Sequence, residues 1–310
     1  MIFGPDGNLY GTTTFGGLYD AGVVFKLQPP SSACKTANCP WRETVLYSFT
    51  GQSDGAVPEG DLVFDQAGNI YGTTFAGGEG NCVPLFFGCG AVYQLTPAQG
   101  SWKLTVIHTF TGLSDGGAPA GCVILDQAGN LYGTTYVGGS FSQGVAFEVT
   151  PHESGWTENI LHDFAGGSDG ANPQGGLILD SSGNLYGVTV FGGSLSYGSA
   201  FELQATDGGF SYRILYTFGP EAESPVAGLT LDGAGNLYGT ANSGGTGSVG
   251  AVFELTPSGG SWKYTSLHDF SYSTGGYPEG TVIFDAQGNL YSTTPYGGSG
   301  QDGVVFQITP

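Results

Sequence analysis

Asn8-Leu9-Tyr10-Gly11-Thr12-Thr13 opens a pattern that returns at Asn69, Asn130, Asn184, Asn236 and Asn289. The tyrosines of these stretches, Tyr10, Tyr71, Tyr132, Tyr186, Tyr238 and Tyr291, are spaced by 61, 61, 54, 52 and 53 residues. Self-similarity at roughly 40–50 residues or a little more is the period of a four-stranded propeller blade. That period overrides the two domains of roughly 150 residues that length alone would suggest. We therefore expect one domain over residues 1–310, with repeats at about 1–60, 61–121, 122–175, 176–227, 228–280 and 281–310.

Around the pattern the repeat resolves into strands. An apolar run precedes it, as in Leu62-Val63-Phe64, Val123-Ile124-Leu125 or Leu177-Ile178-Leu179. Apolar at every position, it predicts an innermost strand A buried on both faces. A turn follows, Asp65-Gln66-Ala67-Gly68-Asn69 in the second repeat, with Asp126, Asp180, Asp232 and Asp285 at the same place later. Aspartate bonds its own turn and Gly-Asn tolerates positive φ, so the pattern itself is strand B of a hairpin. After a Gly-Gly loop comes strand C, such as Ala91-Val92-Tyr93-Gln94-Leu95, where the first charges place the chain nearer solvent. Strand D, Trp41 to Phe49 and its relatives from Trp102, Trp156, Phe210 and Trp262, alternates as a half-wet edge strand does.

Six A, B and C strands but five D strands are present, since Pro310 follows the sixth strand C. The expected fold is all-β, a six-bladed β-propeller of four-stranded antiparallel blades with the last blade lacking its outer strand. That census fits either a fragment of a longer chain or a three-stranded blade with an open edge.

Composition narrows the function. Six Lys and Arg against 26 Asp and Glu give a formal net charge of -20, a surface that repels phosphate backbones and anionic lipid. Nucleic acid is excluded as a partner, no apolar run is long enough for membrane insertion, and the chain reads as a monomer. Cys34 with Cys39 and Cys82 with Cys89 each bracket a short polar insertion, as local disulfides do in oxidising compartments, so the expected location is extracellular. Cys122, inside an apolar run, reads as a buried free thiol. Met1-Ile2-Phe3 aligns with Val282-Ile283-Phe284, so the chain begins inside a repeat; a removed leader or a fragment is expected.

The succession Asp-x-x-Gly-Asn-Leu-Tyr-Gly-Thr-Thr, Gly-Gly, Gly-x-Val-Phe-x-Leu-Thr-Pro resembles the GloVer-type tandem repeat of bacterial exported proteins over the whole chain. The resemblance implies a secreted or cell-surface protein, often with a sorting anchor after the repeats, and implies no particular activity. Its strand order is also similar to that of NHL-type propellers, an analogy of fold alone. No catalytic residue is carried over.

A site is expected where the B-to-C and D-to-A loops emerge together. The D-to-A loops carry Asp54, Asp115 and Asp169 in Ser-Asp-Gly turns. They are either caps of their own turns or, with backbone carbonyls, oxygen ligands for Ca2+. The B-to-C loops carry Phe15, Phe75, Tyr136, Phe191 and Tyr296, with Phe86 and Phe87 inside the second cysteine-bracketed loop. Such rings either pack between blades or stack on sugars while nearby polar groups bond hydroxyls. His108, His162 and His268 occupy one repeat position in three blades and do not form a shared triad or metal site. Glu59 and Glu279 break the repeat and are the candidates for acid and base, although no catalytic residue is assigned. The first expectation is a binding module for a polysaccharide or a cell-surface protein, with calcium as the candidate ion. A polysaccharide hydrolase or lyase is the second, and a structural repeat domain the third.

Overall fold

The computed structural model describes residues 1–30, 40–82 and 88–309. Six antiparallel sheets follow one another along the chain, each with its strands hydrogen-bonded in sequence order. In the first, strands A to D are Ile2–Phe3, Leu9–Thr13, Val23–Gln28 and Arg42–Ser48; in the second, Val63–Phe64, Ile70–Thr74, Ala91–Ala98 and Ser101–Thr109. The third has Ile124–Leu125, Leu131–Thr135, Val145–His152 and Gly155–Asp163; the fourth Ile178–Leu179, Leu185–Thr189, Ser199–Thr206 and Gly209–Thr217. The fifth has Thr230–Leu231, Leu237–Ala241, Ala251–Ser258 and Ser261–Asp269, and the last Ile283–Phe284, Leu290–Thr294 and Val304–Ile308. This is the six-bladed β-propeller expected, with three strands in its last blade. Among the described residues the helical content is a single 3-10 turn, Gly167–Asp169. The chain divides into two compact units, residues 1–139 with 147–160 and residues 140–146 with 161–310. Blades one and two belong to the first unit and blades four to six to the second.

The A-to-B hairpin explains the repeated motif. Asp65 accepts hydrogen bonds from the backbone N–H of Asn69 at 2.8 Å, its side-chain amide at 2.7 Å and the Tyr71 hydroxyl at 3.0 Å. Asp126, Asp180, Asp232 and Asp285 repeat the same three bonds. Burial alone would raise the Asp65 pKa, but the bonds from Asn69 and Tyr71 outweigh it and hold the carboxyl below its ordinary value. One carboxylate thus closes the turn and fixes the phenol of the next strand.

Two expectations about burial are corrected. Strand A is only two residues long, half-buried in blades two to five and with Phe3 and Ile283 exposed in the first and last; the buried residue is the one before it, Leu62, Val123, Leu177, Leu229 or Val282. In blades two to five the first half of strand C is not near solvent, whereas in the last blade Val305 is exposed. Ala91, Val92, Tyr93 and Leu95 have no exposed surface, and the same holds for Val145, Ala146, Phe147 and Val149. A ring at the end of each strand D covers strand C of the following blade. Phe49 meets Tyr93 with centroids 5.1 Å apart, Phe110 meets Phe147 at 5.1 Å, and Phe164 meets Phe201 at 5.2 Å. Phe218 meets Phe253 at 4.9 Å, and Phe270 meets Phe306 at 5.0 Å. Each pair adds about 0.5–1.5 kcal/mol beyond the area it buries. The strand B glycine makes room for these rings: a Cβ on Gly133 would lie 2.6 Å from Cζ of Phe147, and one on Gly187 2.6 Å from that of Phe201.

Candidate functional site

The D-to-A and B-to-C loops meet as expected, through a device the sequence reading did not identify. The residue before the loop proline is left-handed at five junctions: φ is 58° at Val57, 54° at Ala118, 54° at Asn172, 54° at Ser224 and 57° at Tyr277. That backbone costs an ordinary residue about 1–2 kcal/mol, and branched Val57 pays it least comfortably. The conformation aims each N–H at the preceding B-to-C loop: Val57 donates to the Ala21 carbonyl at 2.9 Å and Tyr277 to that of Val249 at 2.7 Å. The carbonyl accepts from the following B-to-C loop, with Phe75 N–H 2.9 Å from Val57 O and Asn242 N–H 3.1 Å from Ser224 O. Short antiparallel bridges such as Ala171 with Phe191 and Gly276 with Tyr296 extend the link. The loops are therefore a fixed platform at each junction.

The three aspartates serve their own turns. Asp54 accepts from the Tyr47 hydroxyl at 2.8 Å, the Thr50 N–H at 2.9 Å and the Thr50 hydroxyl. Asp115 accepts from Thr111 N–H at 2.8 Å, and Asp169 from Ala165 N–H at 2.8 Å with His162 Nε2 at 3.0 Å. Each of the three aspartates stands at a different junction, and among the described residues no three His, Cys, Asp or Glu side chains converge on a point that could hold a metal. The histidines pack edge-on against neighbouring phenylalanines, His108 on Phe110 and His268 on Phe270, as repeat positions should.

The loop rings divide. Phe75 and Tyr136 are half-buried, Phe75 against the core of the first unit. Phe15, Phe191 and Tyr296 keep 54 %, 45 % and 57 % of their surface exposed, and Tyr19, Phe141 and Tyr272 are exposed beside them in sequence or loop class. The densest group lies in the second unit. Tyr272 and Tyr277 share a hydroxyl–hydroxyl hydrogen bond of 3.0 Å, and Tyr277 stands edge-on to Tyr296 with centroids 6.0 Å apart. Two residues on, exposed Glu279 accepts from the Asn242 amide at 3.4 Å. Glu59 is exposed too, yet the loops around it remove enough water to raise its carboxyl pKa. Glu59 and Glu279 belong to different units.

Cys82 and Cys89 form a disulfide with Cα atoms 4.8 Å apart. It lies against glycines, for a Cβ on Gly112 would collide with Cys82 Sγ. Through its carbonyl Cys89 receives the Ala118 N–H at 2.7 Å, the bond that Ala21 makes one blade earlier. Cys122 is a free thiol, half-buried rather than buried as expected, its pKa pushed up to about 11 by desolvation and then by Asp61. Phe86, Phe87, Cys34 and Cys39 lie outside the described residues.

The sequence model of the Gloeobacter/Verrucomicrobia repeat matches residues 1–233 and 159–310. No curated protein matches the chain in sequence. Among solved structures, one described as a candidate oxidoreductase (glucose dehydrogenase) from Thermus thermophilus is similar at 16 % identity. Its TM-score is 0.56, with 99 % of this chain and 94 % of that chain covered. A glucose dehydrogenase is similar at 15 % identity and TM-score 0.52, over 97 % of this chain and 96 % of that one. A candidate 6-phosphogluconolactonase from Bacteroides fragilis is similar at 14 % identity and TM-score 0.47, over 97 % and 93 %. At these identities the first two show a shared fold and the third adds no argument.

Proposed function

The chain belongs to the Gloeobacter/Verrucomicrobia repeat family, and from that premise we propose an extracellular binding module that takes a polysaccharide on its B-to-C and D-to-A loops. The observation that carries the reading is the group formed by Tyr272, Tyr277 and Tyr296, with Glu279 and Asn242 close in the same loops. Exposed rings present flat apolar faces to sugar rings, and the acid and amide bond hydroxyls. A platform held by left-handed junction residues needs little backbone ordering on binding, which favours affinity. Phe15 and Phe191 supply similar exposed rings elsewhere on the loops. The disulfide supports an oxidising location. Calcium enters the reading only through Asp54, Asp115 and Asp169, and a chelation arm tests it. A hydrolase or lyase is the second reading, supported by the raised pKa of Glu59, which suits a general acid.

Incubation with a panel of plant, algal and bacterial polysaccharides, with and without calcium, tests the proposal. The protein should be retained on at least one neutral polymer without released oligosaccharides. Tyr296→Ala should weaken retention by about tenfold, equivalent to about 1.4 kcal/mol, with the melting temperature unchanged. Released products would favour the enzyme reading, and retention on nothing would overturn the module.

A further inference from the structure

Away from the loops, a groove of about 750 Å³ runs between the outer strands of the first two blades. Lys26, Gln28 and Arg42 line one wall, and the hairpin from Pro97 to Trp102 lines the other. The chain has six basic side chains in all, so two in one groove is a concentration of rare charge. In the strand ladder Lys26 pairs with Thr44 and Gln28 with Arg42, which puts all four side chains on one face and the two cations on a diagonal. Diagonal neighbours stand about 7–8 Å apart, so the like charges repel unless an anion lies between them.

Three other blades solve this position internally, and the second and last place the uncharged Gln94 and Gln307 there. Opposite the strand B tyrosine, where the first blade has Lys26, the fourth and fifth blades have Glu202 and Glu254. Glu202, with 3 % of its side chain exposed, pairs with Arg213. Glu254 accepts from the Tyr238 hydroxyl at 2.9 Å, and Glu148 from that of Tyr132 at 3.0 Å. A corresponding groove beside Arg213 measures about 360 Å³, and that arginine is already paired with Glu202. The first blade reverses the charge. Lys26 is steadied by Asp6 at 3.5 Å and lies 5.9 Å from the Tyr10 ring centroid, while Arg42 has no ion-pair partner among the described residues.

We propose that this groove binds a carboxylate-bearing sugar, with the external carboxylate standing where the third, fourth and fifth blades place a glutamate. Arg42 offers a bidentate fork to the carboxylate, Lys26 a point charge, Gln28 and Gln99 amide groups for hydroxyls, and Trp102 an apolar flank. The body's net charge of -20 opposes an acidic polymer at long range. At 0.15 M salt the Debye length is about 8 Å, so the groove's own cations decide the local field. The ligand class rests on the polysaccharide reading above, but the site is separate from the loop rings.

Titration calorimetry of the whole chain with trigalacturonate, and with a neutral galactose trimer as control, tests the site. Trigalacturonate should bind and the neutral trimer should bind at least tenfold more weakly. Lys26→Glu, which places there the acid of the third to fifth blades, and Arg42→Ala should each weaken trigalacturonate by tenfold or more while Tyr296→Ala leaves it unchanged. A sulfated trimer binding as tightly as trigalacturonate would replace the carboxylate specificity with general anion binding and overturn the ligand class. Failure to bind trigalacturonate, or equal binding by wild type and both folded groove variants, would overturn the site. Loss of neutral-polymer retention with trigalacturonate binding intact would instead count against the loop platform alone. Equal melting temperatures establish that the variants fold.

Discussion

The Tyr212 hydroxyl donates to the backbone carbonyl of Asp169 at 2.5 Å, tying the edge strand of the fourth blade to the loop before it. Tyr264 does the same for Glu221 at 3.2 Å. Both tyrosines stand two residues after the aromatic that opens strand D, and at that place the third blade has Glu158. Its Oε1 is buried without a hydrogen-bond partner, as is His108 Nε2, which lies 3.8 Å from Asp115. Burial, and then the charge of Asp115, push the Glu158 pKa from 4.5 up to about 7. The folded chain therefore holds a proton that the unfolded chain releases, and stability falls as pH rises from the unfolded value through the folded one. The shift would be worth about 3 kcal/mol in full, but the side chain is partly solvated, so we expect about 1–2 kcal/mol. Burial lowers the His108 pKa, which works in the opposite sense and removes stability as pH falls. Glu158→Gln isolates the first effect: in urea denaturation it should gain on wild type at pH 8 and lose that advantage at pH 5.

Tyr93 stands where the other blades have Phe25, Phe147, Phe201, Phe253 and Phe306. It is fully buried, and its hydroxyl has no hydrogen-bond partner. A buried unpaired hydroxyl costs about 1–3 kcal/mol, whereas the ring contact with Phe49 survives its removal. Tyr93→Phe should raise stability by that order, read as a higher urea midpoint with the slope of the transition unchanged.

The hairpin aspartates make the fold sensitive to acid. Asp6, Asp65, Asp180, Asp232 and Asp285 all have pKa values held below the ordinary one. Their contribution is complete above the unfolded pKa and is lost as pH falls through the folded values. Unfolding should therefore steepen below about pH 4. Asp232→Asn should lower stability at pH 7 and flatten part of that acid limb, as circular dichroism melts across pH 2–6 would show.

The blade, the hairpin and the missing outer strand were legible because each depends on local chemistry: Asp and Gly-Asn at the turn, tyrosine in strand B, alternation in strand D. Burial was less legible because it depends on the next blade. Glu148, Glu202 and Glu254 made strand C look wet, although tyrosine or arginine partners absorb those charges. The signal that could have corrected this was the phenylalanine recurring at Phe49, Phe110, Phe164, Phe218 and Phe270. Of the loop rings, periodicity located the positions but not the exposure: Phe75 turns inward while Phe191 stays out. Left-handed Val57, Ala118 and Tyr277 share no side-chain chemistry, so only the proline after them marked the place.

The ring pairs that join successive blades have an effect on how such a chain can change its length. Phe110 at the end of one blade needs Phe147 in the next, and Phe218 needs Phe253. No blade supplies both halves of a pair, so each behaves as a monomer with two complementary ends. Insertion or loss of a whole period rejoins compatible ends and leaves every remaining ring with a partner. Insertion or loss of part of a period takes one ring and leaves its partner behind, exposing surface that folding had removed from water. The architecture therefore admits growth and shrinkage in whole blades and penalises every fraction of one.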